Sequence, residues 1–71
     1  MILDVPIKGT MIRLGQLLKL AGVIDSGSEA KTLLETQTIS VNEQPENRRG
    51  RQLHHGDVVR VGERELRVTA A

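Results

Sequence analysis

None of the residues in this chain is cysteine, Phe, Tyr or Trp, and only two are proline. Without cysteine there is no disulfide framework, no thiolate metal site and no thiol nucleophile, which removes the devices that small secreted domains use to supplement a limited core. A reducing, cytoplasmic setting fits that composition. Without aromatic rings the chain cannot stack successive bases of a single strand, an interaction worth roughly 1–3 kcal/mol per base, so readers of the RNA recognition motif or cold-shock kind are disfavoured. No apolar run is long enough to span a bilayer. The opening residues, which include Asp4 and Pro6, lack the apolar stretch of a signal peptide.

The apolar material that is present is aliphatic. Leu, Ile and Val make up 21 of the 71 residues, above the level expected of a disordered segment. The length fits one domain, residues 1–71, near the lower end of what a hydrophobic core stabilises unaided. Net charge is only +1, but it is unevenly distributed: residues 1–47 carry four Lys and Arg against six acids, and residues 48–71 carry six Arg against three acids. Positive charge is densest at Arg48, Arg49 and Arg51, followed closely by His54 and His55. Guanidinium suits phosphate because its planar fork donates two hydrogen bonds at once, so this segment points to nucleic acid. A basic loop of this kind is equally compatible with a merely solvated face.

Apolar periodicity divides the chain into elements. Leu3, Val5 and Ile7 alternate with Asp4 and Pro6, predicting a short strand that Pro6 confines to an edge. Leu14, Leu17, Leu18 and Ala21 fall on one helical face, predicting helix one over Met11 to Ala21, with Gly22 placed as a left-handed stop. Ser26 and Glu29 have the spacing of a capping box, so helix two follows and buries Ala30, Leu33 and Leu34. Alternation then predicts strands around Ile39 to Val41, Val59 to Val61 and Leu66 to Val68, with turns at Gly56 and Gly62. Asn42 to Arg49 is expected to be a connecting loop. The fold class is therefore α+β.

The ordered series Ile12, Arg13, Leu14; Leu17, Leu18, Ala21, Gly22; Ser26 and Ala30 to Leu34; Ile39 to Asn42; and Gly56 to Val59 resembles the S4-type RNA-binding domain over residues 12–61. Small stand-alone bacterial proteins of that type are most similar, and the loop with Arg48, Arg49, Gly50 and Arg51 is characteristic of them. The resemblance implies an S4-like (alpha-L type) fold, with two packed helices, a small mainly antiparallel sheet and a short N-terminal strand. It also implies RNA binding without catalysis. The chain departs from the pattern at four positions. Gly15 replaces the usual Asp of helix one, at a cost of about 1 kcal/mol relative to alanine. Gly27 replaces an arginine of helix two, and Gln37 and Glu43 stand where glycine is common.

On this basis Arg13, Lys19, Lys31, Arg48, Arg49, Arg51 and His54 are the expected RNA-binding residues, forming one face from the helix pair and the arginine loop. Taken singly, each of Arg13, Lys19 and Lys31 is better explained as a solubilising residue, and only the ensemble points to binding. The expected partner is structured RNA, ribosomal or transfer RNA, with ribosome association, and the protein is expected to be a monomer. Replacing Arg48, Arg49 and Arg51 by alanine is expected to weaken binding with the fold intact. No cofactor, metal, membrane or small-molecule substrate is expected. The adjacent His54 and His55 diverge, and no Ser, His and Asp set surrounds a nucleophile turn, so the chain is not expected to be an enzyme. The alternative is a protein-interaction module using the basic face or a sheet edge.

Overall fold

The computed structural model describes residues 2–70; Met1 and Ala71 lie outside the described residues. In chain order the elements are β1 (Ile2–Ile7), β2 (Ile12–Arg13), α1 (Leu14–Leu20), α2 (Gly27–Thr36), β3 (Ile39–Val41), β4 (Gln44–Pro45), β5 (Gln52–Leu53), β6 (Val58–Val61) and β7 (Arg64–Ala70). Five strands form one sheet in the order β1-β7-β6-β3-β4, and β2 pairs with β5 in a separate antiparallel ribbon. The main sheet is antiparallel except for β1, which lies parallel to β7 with Pro6 opposite Thr69. Pro6 sits on the edge strand, the position in a sheet that tolerates proline.

One face of the sheet and the two helices enclose the core. Val5, Ile7, Ile39, Val41, Val59, Val61, Leu66 and Val68 project from the strands, and Leu14, Leu17, Leu18, Ala30 and Leu34 from the helices. Leu33, expected to be buried, is partly exposed and packs at the margin. The opposite sheet face is polar and is crossed by ion pairs, Arg67 to Asp4 at 2.8 Å and Arg60 to Glu65 at 3.8 Å.

Helix α1 ends where the sequence indicates. Gly22 has φ +78°, its N–H donates to Lys19 O at 3.1 Å, and Val23 N–H donates to Leu18 O at 2.9 Å. These two bonds make a Schellman cap, in which glycine accepts the left-handed geometry without a Cβ penalty. Its start differs from the expectation. Ile12 and Arg13 pair with Leu53 and Gln52, so tertiary pairing takes the residues that periodicity assigns to the first helical turn. At α2, Ser26 occupies the N-cap but makes no side-chain cap bond. Its hydroxyl meets Ser28 Oγ at 3.0 Å, and Glu29 reaches back to Asp25 N–H at 3.4 Å, one residue beyond the expected partner.

The segment expected to be a loop contains a hairpin. Asn42 (φ 52°) and Glu43 (φ 70°) both adopt left-handed geometry, joining β3 to β4 in the two-residue turn that matches strand twist. Asn42 is held on both sides of its amide: Nδ2 donates to Asp57 Oδ1 at 3.0 Å, and Oδ1 accepts from Val58 N–H at 2.9 Å.

Candidate nucleic-acid interface

The hairpin delivers the chain directly to Glu46, whose N–H donates to Ile39 O at 2.8 Å. From there the arginine loop runs back to the helix pair and is fastened by its main chain. Arg49 O accepts from Gly15 N–H and Arg51 O from Leu14 N–H, both at 2.9 Å. These are two of the first N–H groups of α1, which have no partner within the helix, so the loop serves as the helix cap. Gln16 Oε1 satisfies Arg13 N–H at 3.1 Å. A Cβ added at Gly15 would lie 3.4 Å from Arg49 O and 3.6 Å from Ala30 Cβ. These are ordinary van der Waals separations, so Gly15 packs against the loop and α2 without the space itself requiring glycine.

Glu46 is the residue that the sequence did not reveal. Its side chain is only 6% exposed, and its carboxylate collects five hydrogen bonds. Oε2 accepts from the N–H of Asn47 and of Arg48, both at 3.2 Å, and from Arg48 Nε at 3.1 Å. Oε1 accepts from Arg48 Nη2 at 3.3 Å and Arg51 Nη1 at 2.7 Å. The Arg48 and Arg51 guanidinium bonds outweigh the cost of burial and hold the Glu46 carboxyl down at about 2. A charge balance around the loop hints at this pairing, since one acid precedes three arginines, but irregular chain fixes no side-chain geometry by spacing.

A second carboxylate closes the loop's far end. Asp57 Oδ2 accepts from His54 N–H at 2.7 Å, tying the end of the basic run to the turn at Gly56, where φ is +92°. Burial disfavours ionisation of Asp57. The Asn42 and His54 hydrogen bonds, with the charges of His54 and Arg51, prevail and hold its carboxyl below the usual aspartate value.

The expected site residues divide into three places. Arg48, Arg51 and His54 line one open hollow with Gly50 and Gln52, and Arg13 adjoins it through its register partner Gln52. Arg49 and Lys31 line another with Asn47 and Glu35. Lys19 sits elsewhere, on a mainly apolar hollow with Lys8, Met11 and Leu20. The expectation that the three arginines can be removed with the fold intact is therefore revised: deleting Arg48 and Arg51 strands the buried Glu46 carboxylate without its countercharges. Among the described residues no helix is long and apolar enough to cross a membrane.

Comparison with known proteins agrees with this architecture. The S4 domain family matches residues 5–69. The chain is also 57% identical over 51 residues, 72% of each chain, to a Bacillus subtilis (strain 168) protein named the probable ribosome maturation protein RlbA. The match extends past the resemblance over residues 12–61 to include the last three residues of β1 and most of β7. With its helix pair, capping arginine loop and α+β sheet, this chain belongs to the S4 domain family.

Proposed function

We propose that this protein is a non-catalytic RNA-binding protein that docks on structured ribosomal RNA, in a cytoplasmic role connected with ribosome maturation. The observation that carries the proposal is the fastening of the arginine loop by its own carbonyls to α1. The main chain is fixed, so an exposed basic side chain such as that of Arg49 is positioned against a phosphate backbone without ordering a loop on binding. Family membership and the name of the Bacillus relative support RNA and the ribosome as the setting. Recognition rests on backbone and shape, since there is no aromatic residue to stack bases.

Arg13, Lys31 and the arginine loop with His54 make the proposed face. Filter binding of the full chain to ribosomal RNA across a salt series tests it. Affinity that falls as salt rises supports the proposal, and affinity indifferent to salt refutes it.

A second function, protein binding, is favoured by the hollow beside Lys19, where Leu20 is 56% and Met11 37% exposed. Recovery of partners from lysate with and without ribonuclease separates the two. Partners lost on RNA digestion favour the RNA face, and partners retained favour this hollow.

A further inference from the structure

We infer that Glu46 sorts the arginines of the loop, retaining Arg48 and Arg51 as framework and leaving Arg49, beside Lys31, as the guanidinium that RNA phosphate meets. This inference rests on the proposed RNA-binding function and specifies how that face works.

The sorting follows from the partners of each side chain. The Arg51 side chain is 36% exposed and lies 2.7 Å from Glu46 Oε1. For a phosphate to recruit it, a charge-assisted bond to a buried carboxylate must break, and that carboxylate keeps its burial while losing a partner. Arg48 is more open at 72%, but its guanidinium meets both Glu46 oxygens and its own N–H bonds to the same carboxylate. The Glu46 carboxylate thus occupies these guanidiniums as a phosphate would.

Arg49 differs in its side-chain partners. No salt bridge involves it among the described residues, and it is exposed. Its carbonyl is anchored on Gly15 N–H, so the base of the side chain is fixed while its guanidinium is available. Lys31, also without a salt bridge, lines the same hollow. Glu35 is the acid of that hollow and opposes an anion there, which limits affinity without removing the two cations.

The consequence is measurable because RNA releases a condensed cation for each phosphate that a protein cation neutralises, and a guanidinium held by Glu46 neutralises none. Each such contact contributes roughly 0.7–0.9 to the slope of log affinity against log salt. The experiment measures binding of the full chain to a fluorescein-labelled synthetic RNA hairpin across a salt series. Arg49→Gln is expected to weaken binding several-fold and to flatten the slope by about 1. Arg48→Gln and Arg51→Gln are expected to leave the slope unchanged while lowering the thermal midpoint. Glu46→Gln, which frees both guanidiniums, is expected to steepen the slope by about 1–2. If Glu46→Gln does not fold, the contrast between Arg49→Gln and Arg51→Gln decides alone. Equal flattening by Arg48, Arg49 and Arg51 variants, with wild-type binding normal, overturns the sorting and leaves RNA binding standing. Wild-type protein that does not bind the hairpin at any salt concentration overturns both.

Discussion

Replacing Glu46 by glutamine removes one charge and preserves shape, and its cost follows from the site. The carboxyl sits at about 2 in the folded protein against an ordinary value of 4.5. At 1.36 kcal/mol per unit that depression corresponds to about 3 kcal/mol of stabilisation at neutral pH. The Arg48 side of the pair is open to solvent, so screening reduces the expected value to about 1–2 kcal/mol. Because the folded value lies below the unfolded one, the contribution is fully present above about pH 4.5 and is lost as pH falls toward 2. Urea denaturation of wild type and Glu46→Gln, repeated from pH 7 downward, tests this. The variant should be about 1–2 kcal/mol less stable at pH 7, and the gap should close steadily below about pH 4.5 as the wild-type carboxyl is protonated. A gap that is absent at pH 7, or constant down to acid pH, refutes the ion-pair account of the loop.

Other positions give independent checks. Glu43 adopts φ 70° in the β3–β4 turn, so Glu43→Gly should stabilise the protein by about 0.5–1 kcal/mol, read as a raised urea midpoint. Gly22→Ala should cost about 1 kcal/mol by the same assay, because φ +78° at the end of α1 disfavours a Cβ. Asn42→Ala removes the bonds to Asp57 and Val58 and should destabilise by about 1–3 kcal/mol. At Gly15 the space admits a methyl group in ordinary contact, so Gly15→Ala should stabilise the protein by up to about 1 kcal/mol through helix propensity and leave RNA affinity unchanged. Gly15→Leu should displace the loop and weaken both.

The parts of the fold legible in the sequence are those with local causes. Leu14, Leu17 and Leu18 repeat at helical spacing and Gly22 supplies the stop, so the end of α1 follows from nearby residues alone. The alternation in β3, β6 and β7 likewise reports one buried face. What the sequence does not show depends on partners distant along the chain or on elements too short for a period. Ile12 and Arg13 leave the helix because Leu53 and Gln52 pair with them, and two residues carry no readable alternation. The turn at Asn42 and Glu43 lacks the glycine that usually announces it. The parallel pairing of β1 with β7 joins the two ends of the described chain, beyond the reach of any local pattern.

The same distinction governs the candidate site, where residue type was legible and electrostatic availability was not. Summed along the sequence, residues 48–71 hold an excess of three positive charges. In space, four of their six arginines are committed: Arg48 and Arg51 to Glu46, Arg60 to Glu65 and Arg67 to Asp4. Asp4 and Glu46 belong to the acidic first part of the chain, so folding brings the two halves together and cancels much of the polarity that the sequence displays. Local potential governs attraction to a polyanion, and the cations left to supply it near the loop are Arg49, Lys31 and Arg13. A face built from so few free charges should bind RNA with a shallow salt slope, on the order of 2–3. A slope near 6 for the wild-type protein would mean that the Glu46 pairs open on binding and that the arginine loop acts as a whole.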